Sequence, residues 1–168
     1  KGILKESDVI VENMGPGSME RLGLSYEECK KVNPMVIYAS LKGFSPDSPY
    51  ANYPAFDPIA THMGGMVAVT GLPEQPIKAG VSVADSGTGM MLAMCIIAAL
   101  LQREREGFGQ RIDVAMQDFI TGLARACWEP YYKSGKAPRR VGNGMPLEDV
   151  APSNTYPCKP FGVNDYVH

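Results

Sequence analysis

Residues 8–17 read DVIVENMGPG, a short β-branched run that is followed by a tight turn. The run at 9–11 favours a buried strand, and Gly15-Pro16-Gly17 ends it in the way that a parallel strand meets a loop. Residues 36–39 (VIYA) repeat the strand pattern after a helical stretch. Alternation of apolar strands with amphipathic helices is typical of a βαβ unit. The sequence therefore predicts an α/β fold with a parallel sheet.

Two helix starts are marked by capping residues. Ser25 followed by Glu28 has the spacing of a capping box. Asp57 precedes Pro58, so the aspartate side chain can cap free amides while proline at the first helical position loses no hydrogen bond. We expect a helix to begin at each of these positions.

The remaining segments complete the layout. Residues 80–85 lead through 86–89 (SGTG) into a long apolar helix, 112–116 alternates like a strand, and 117–132 has roughly helical spacing. Gly, Pro and Arg dominate from Lys133 onwards, which is typical of a linker over 133–152. Residues 1–132 are thus predicted to form part of one α/β domain. Residues 133–168 are predicted to be a linker and the start of a second, smaller domain.

Composition limits the classes of function. The chain has 168 residues and a net charge of −2, which gives no overall field for nucleic acid, so we expect small-molecule ligands. Its four cysteines are widely spaced, which favours reduced thiols over a disulfide framework or a metal site. The apolar stretch 90–101 is too short to span a bilayer and is expected to be a buried helix. We therefore expect a cytoplasmic protein without a membrane partner, and both ends look cut from a larger chain.

Asp85 stands directly before the long apolar helix in this layout. Free backbone amides and the helix dipole both stabilise a carboxylate at that place, so a helix cap is the plain structural role. The small residues at 86–89 would leave one side of the carboxylate open to a bulky thioester. The two roles can coexist, and position alone favours the cap.

Several segments together resemble the class III CoA-transferases, the group of formyl-CoA transferase and the carnitine CoA-transferases. Asp85 falls where that family has its nucleophile. The order and spacing of the matches make the resemblance specific, although each match alone is a weak pattern. The matching segments are DVIVEN (8–13), GPGSMERLGL (15–24), NP (33–34), SLKGF (40–44), AGVSVAD (79–85) and GQRIDV (109–114).

The resemblance implies a Rossmann-like parallel-sheet domain that binds CoA, to which residues 1–132 would belong, and an interlocked homodimer. It also implies a CoA-transferase that moves CoA between an acyl-CoA and a free carboxylic acid. Asp85 would attack the thioester and carry the acyl group as an anhydride, which is as activated as the thioester that it replaces. CoA would be a substrate, and neither a metal nor another cofactor is expected.

Four residues match the family's CoA-contacting stretches and are predicted to bind CoA: Asn13, Met14, Arg21 and Lys42. The two cations follow strand ends, where α/β proteins bind ligands. A solvated surface charge is the alternative for each of them. The family often has an aromatic residue and an arginine between Asn and Pro-Gly, whereas this chain has Met14 and Gly15.

Phe56 distinguishes between two possible reactions, CoA transfer and racemisation. The α-methylacyl-CoA racemases, which also resemble this chain, have a histidine at this point, and racemisation needs a base on each face of the α-carbon. Phe56 stands in its place, and His62 is expected to be structural. Phe56 and Gly87 are predicted to form the substrate pocket, although a core aromatic is an equally good interpretation of Phe56. A racemase or epimerase and a non-catalytic dimerising fragment stay open as alternatives.

A glycine-rich active-site loop is a further element of related transferases. Residues 142–144 (GNG) and 151–154 (APSN) fall where those proteins place it. An ordinary interdomain linker is the preferred interpretation of both segments, because Gly and Pro are typical of linkers.

Overall fold

The computed structural model of the protein describes residues 2–145 and 152–168. Short 3₁₀ turns occupy Ile3–Glu6 and Ala124–Cys127. The helices are α1 (Ser18–Arg21), α2 (Tyr26–Val32), α3 (Asp57–Met63), α4 (Met66–Val69), α5 (Val83–Glu106), α6 (Met116–Leu123) and α7 (Trp128–Ser134). The strands are β1 (Val9–Glu12), β2 (Ile37–Lys42), β3 (Gly71–Leu72), β4 (Gln75–Pro76), β5 (Arg111–Ala115), β6 (Tyr156–Pro157) and β7 (Tyr166–Val167).

Three of the strands form one parallel sheet in the order β1-β2-β5. Successive side chains of a strand point to opposite faces, and the central strand β2 shows this directly. Tyr38 is buried in a cluster with Met19 and Cys29 of the helices α1 and α2. Ala39 is buried on the other face with Leu92 of α5 and Val114 of β5. Helices thus cover both faces of the sheet, and the predicted α/β fold is confirmed.

Local sequence signals account for several element ends. The Ser25 hydroxyl oxygen accepts a hydrogen bond from the Glu28 amide at 3.3 Å, so the predicted cap of α2 is confirmed. The strands β1, β2 and β5 agree with the predicted runs to within a few residues.

The helix that we predicted over 117–132 is divided, and the prediction of one continuous helix is wrong. α6 ends at Leu123, a 3₁₀ turn follows, and α7 begins at Trp128. Pro130 lies in the first turn of α7. Proline has no N–H to donate and its ring clashes with the carbonyl four residues earlier, so it is tolerated only where a new helix begins.

The long helix α5 packs along the sheet, but only one side of it is covered. Leu92 and Ala99 are buried, whereas Met90, Met94 and Ile97 are 66%, 64% and 67% exposed, so the expectation of a buried helix is wrong for the outer side. By length and composition α5 is also apolar enough to cross a membrane, with a mean hydropathy of 1.7 and 28% of that window buried. The core helix of a soluble protein meets the same criterion, and α5 packs on the sheet through Leu92.

Part of the predicted linker is held against the β3–β4 hairpin. The Arg140 guanidinium donates to the carbonyl oxygens of Leu72 and Pro73, each at 3.0 Å. The Gly142 amide donates to the Gly71 carbonyl oxygen at 2.8 Å. The division of the chain into two domains stays a prediction. The four cysteines are free in the structure.

Candidate active site

A cavity of about 430 Å³ lies at the carboxyl ends of the three parallel strands. Its lining comes from the loop that follows β1, the end of β2, the loop before α3, the first turn of α5 and the start of α6. Ligands of open α/β sheets bind at this edge, because the connections there leave a crevice. Of the residues predicted to form the site, those that line the cavity are Asn13, Met14, Lys42, Phe56 and Asp85.

Asp85 lies in the first turn of α5 and is exposed to the cavity. Its expected place before the helix is wrong, because α5 begins two residues earlier and Ser82 is its N-cap. Within residues 2–145 and 152–168, no hydrogen bond or ion pair engages the Asp85 carboxylate oxygens. The carboxylate is therefore available to a ligand in the cavity.

The cap of α5 comes from a different helix. Asp57 is 4% exposed, and its Oδ2 accepts hydrogen bonds from the amides of Ala84 at 2.7 Å and Asp85 at 3.3 Å. We expected Asp57 to cap α3, but it is the first residue of α3 and its side chain turns to the neighbouring helix end. A buried carboxylate needs donors, and the free amides of α5 supply them. Sequence reasoning missed this contact because the partners are 27 and 28 residues apart.

Lys42 is bound to a buried carboxylate that sequence reasoning also missed. Glu12 ends β1, is 7% exposed, and accepts hydrogen bonds from Lys42 Nζ at 2.6 Å and from the Ser40 hydroxyl. Lys42 Nζ also donates to the Met14 carbonyl oxygen at 2.6 Å, and the Met14 amide donates back to Glu12 Oε2 at 3.0 Å. The signal in the sequence was a charged residue, Glu12, at the end of the apolar strand β1. Lys42 thus lines the cavity, and Glu12 balances the positive charge of its ammonium group. Its bond to the Met14 carbonyl oxygen fixes the loop after β1.

Arg21 lies beside the cavity and does not line it. Its guanidinium donates to the Ser18 hydroxyl oxygen at 2.8 Å and to the Pro16 carbonyl oxygen at 3.5 Å. Pro16 is itself a lining residue. Arg21 is exposed, so its charge faces solvent next to the same loop.

Phe56 is 78% exposed and lines the same cavity as Asp85, so it is not a core aromatic. His62 is exposed, lies outside the cavity lining, and its Nδ1 is 2.5 Å from the Pro58 carbonyl oxygen. No histidine is among the described residues that line the cavity. Among the described lining residues, the cavity therefore offers one carboxylate, Asp85, and two aromatic rings, Tyr53 and Phe56, to a ligand.

Gly87 is buried and does not line the cavity. A Cβ added there would lie 2.2 Å from Cε1 of Phe119. The small residue is thus required by the packing of α5 against α6. Its predicted place in the substrate pocket has no support in the cavity lining.

Two further expectations concern a metal and the glycine-rich loop. In the described part of the chain, no group of three or more His, Cys, Asp or Glu side chains could hold a metal ion. Gly142 contacts the β3–β4 hairpin, and residues 142–144 do not line the cavity. Ala151, where the second candidate segment for that loop begins, lies outside the described residues.

Comparison with known proteins gives consistent matches. The model of CoA-transferase family III matches residues 1–163. The formyl-CoA:oxalate CoA-transferase of Streptomyces coelicolor is 36% identical over 178 residues, which cover 99% of this chain and 43% of that protein. The acetyl-CoA:oxalate CoA-transferase of Acetobacter aceti is 40% identical over 175 residues, which cover 98% of this chain and 44% of that protein.

A solved structure agrees with these matches. The CAIB/BAIF family protein from Brucella suis superposes with a TM-score of 0.82 and 40% sequence identity. The superposition covers 91% of this chain and 40% of that chain. This chain therefore spans less than half the length of the proteins that it matches.

Proposed function

Because this chain belongs to CoA-transferase family III, we propose that the protein moves CoA between an acyl-CoA and a free carboxylic acid, with Asp85 as the covalent acyl carrier. One observation carries the proposal. The unengaged carboxylate of Asp85 lines a cavity at the carboxyl ends of the parallel strands, together with the loop that follows β1. A nucleophile must be accessible to its substrate, and Asp85 meets that requirement.

The proposed chemistry proceeds by exchange of activated acyl bonds. A carboxylate oxygen of Asp85 attacks the thioester carbonyl carbon, the C–S bond breaks, and CoA leaves as a thiolate, which produces a mixed anhydride. The thiolate attacks the aspartyl carbonyl carbon, which releases the first acid and leaves a CoA thioester on Asp85. The carboxylate of the second acid attacks the carbonyl carbon of this thioester, the C–S bond breaks, and a new mixed anhydride forms as the CoA thiolate leaves. The thiolate then attacks the acyl carbon of the second acid, and the bond from that carbon to the bridging oxygen breaks. The products are the new acyl-CoA and the free Asp85 carboxylate.

The lining of the cavity suits this chemistry better than racemisation. A carboxylate attacks a thioester without a base to take up a proton, whereas racemisation needs two proton-transfer groups. Phe56 and Asp85 both line the cavity, and His62 lies outside its lining. Phe56 is proposed to cover the acyl group and keep water from the anhydride.

CoA binding is proposed for the loop after β1 and for the end of β2. Asn13 and Met14 line the cavity, and Lys42 holds that loop in place through the Met14 carbonyl oxygen. Because Glu12 balances the charge of Lys42, the ammonium contributes a hydrogen-bond donor more than a net charge. Arg21 is proposed to meet a phosphate of CoA from its exposed position beside the cavity.

The substrates and the assembly are also proposals. The relatives are a formyl-CoA:oxalate and an acetyl-CoA:oxalate CoA-transferase. Formyl-CoA and acetyl-CoA are thus the first donors to test, and oxalate the first acceptor. An interlocked homodimer is proposed from the family resemblance, and a cytoplasmic location is proposed from the widely spaced cysteines.

Replacement of Asp85 tests the function. In the full-length protein, we expect Asp85→Asn to lower kcat for CoA transfer by at least about a thousandfold, because the nucleophile is lost. CoA affinity, measured by calorimetry, should change little. Asp118→Asn is the matched control, since Asp118 is exposed in the first turn of α6 and lies outside the cavity lining.

Two outcomes would contradict the proposal. Transfer at the wild-type rate by Asp85→Asn would exclude Asp85 as the acyl carrier. Deuterium uptake at the α-carbon of a 2-methylacyl-CoA in heavy water, without any CoA transfer, would favour the racemase instead.

A further inference from the structure

The first turn of α5 is held from outside by one side chain of α3. The Asp57 carboxylate accepts hydrogen bonds from two consecutive amides, those of Ala84 and Asp85, at 2.7 and 3.3 Å. Both amides belong to the first helical turn, where N–H groups have no acceptor within their own helix. The second of them belongs to the residue that carries the proposed nucleophile.

The contact is buried and charge-assisted, and both properties make it strong. Asp57 is 4% exposed and Ala84 is fully buried. Hydrogen bonds from backbone amides to a carboxylate are about twice as strong as those between neutral groups. A buried carboxylate that loses its donors is also costly, so alternative conformations of this turn are disfavoured.

We propose that Asp57 is a positioning residue for the transfer reaction: its carboxylate fixes the first turn of α5 and thereby directs the Asp85 carboxylate into the cavity. The proposal rests on the proposed function of Asp85. Asp57 does not line the cavity, so it acts through the backbone of α5 and not on the substrate.

The same contact also links Asp85 to Phe56. Phe56 precedes Asp57 in the chain, and both Phe56 and Asp85 line the cavity. The contact between Asp57 and the two amides therefore couples the entry of α3 to the start of α5. Displacement of either helix end would change the distance between the Phe56 ring and the proposed nucleophile.

Loss of the contact should affect kcat more than KM. Misplacement of a reacting group by about 1 Å costs about a hundredfold in rate. The proposed CoA contacts Asn13, Met14 and Lys42 lie after β1 and at the end of β2, and the Asp57 carboxylate bonds to none of them. Binding of the acyl-CoA should thus be retained when the turn is loosened.

Three variants of the full-length protein test the proposal. We expect Asp57→Ala to lower kcat for CoA transfer by about a hundredfold with KM changed less than about threefold. Asp57→Asn keeps an oxygen acceptor for the two amides, so it should recover at least about tenfold of that loss. Both are assayed at a temperature where circular dichroism shows the variant folded.

The control removes an anchor at the opposite end of the same helix. Arg103 donates to the Met35 carbonyl oxygen at 3.0 Å and to Asp8 Oδ1 at 2.8 Å, and thereby ties the end of α5 to the sheet. Arg103→Ala should lower the melting temperature without a change in kcat. If Arg103→Ala reduced kcat as much as Asp57→Ala does, general destabilisation of α5 would explain both, and the positioning role would be wrong.

Hydrogen exchange supplies a readout that does not depend on activity. The amides of Ala84 and Asp85 should exchange at least about tenfold faster in Asp57→Ala than in the wild type, and at the wild-type rate in Arg103→Ala. Unchanged exchange in Asp57→Ala, or unchanged kcat, would overturn the inference. If the wild type transferred no CoA, the proposed function would fail, and the exchange rates would still decide whether Asp57 holds the turn.

Discussion

At the scale of single residues, Gly87 and Gly89 stand two positions apart in α5 with opposite surroundings. A Cβ at Gly87 would lie 2.2 Å from Cε1 and 2.4 Å from Cζ of Phe119, whereas at Gly89 nothing lies within 4 Å. The first glycine is required by helix packing, and the second is not. This difference yields a paired stability prediction.

Gly87→Ala is expected to lower the free energy of unfolding by about 1–3 kcal/mol, because the Phe119 ring must move. Gly89→Ala is expected to raise it by about 0.5–1 kcal/mol, because alanine favours the helix. Urea unfolding of both variants measures the difference. Equal effects of the two substitutions on the free energy of unfolding would show that Phe119 does not pack against Gly87.

Some residues of the candidate site could be predicted from the sequence, and the contacts of others could not. Asn13, Met14, Lys42 and Asp85 were predicted because they match short stretches of the family, Phe56 was predicted because it replaces the histidine of the related racemases, and all five line one cavity. The contacts of the Asp57 and Glu12 carboxylates were missed. Their partners are far away in sequence, so only the folded chain shows what their carboxylates bind.

At the scale of elements, the strands were the most predictable parts. Each of β1, β2 and β5 is a continuous apolar or alternating run, and such a pattern is local. The helix ends were less predictable. The break before α7 follows from Pro130, and the start of α5 depends on the Asp57 carboxylate, which is a tertiary contact.

The central strand β2 carries a tyrosine whose ionisation is coupled to folding. Tyr38 is 2% exposed, and its hydroxyl donates to the Leu24 carbonyl oxygen at 3.2 Å. Burial, together with the nearby Glu12 charge, raises the pKa of Tyr38 from 10.0 to about 12. In the unfolded chain the phenol ionises near its ordinary pKa of about 10.

The sign of the effect follows from these two pKa values. The contribution of Tyr38 to stability is fully present below pH 10 and is lost as the pH rises from 10 towards about 12. Tyr38→Phe removes this contribution but leaves the other titrating groups in place. The difference in unfolding free energy between wild type and Tyr38→Phe should thus shrink across this range. A difference that stayed constant or grew would contradict the assigned pKa.

At the scale of the whole molecule, the candidate site is assembled from distant parts of the chain. Its lining runs from Asn13 to Met116, and the parallel sheet brings these segments to one edge. The fold was predictable because strand and helix patterns alternate along the chain. The cavity was not, because it arises where two loops, one strand end and two helix starts meet.

The outer side of α5 bears on how the whole molecule assembles. Its exposed methionines and isoleucine form an apolar surface, and the chain spans 43% of the length of the Streptomyces coelicolor relative. A homodimer of the full-length protein is the proposed assembly. Sedimentation of the full-length protein measures it independently of the chemistry.

Transfer of heavy oxygen tests whether Asp85 carries the acyl group. The full-length protein is given an acyl-CoA and an acceptor acid labelled with heavy oxygen in its carboxylate. The labelled acid attacks the aspartyl thioester, and the thiolate then removes its acyl group, so one acid oxygen stays on Asp85.

Mass spectrometry of the proteolytic peptides gives the answer. Heavy oxygen is expected in the peptide that contains Asp85, and none in the peptide that contains Asp118. CoA transfer with an unlabelled Asp85 peptide would contradict the proposal that Asp85 carries the acyl group.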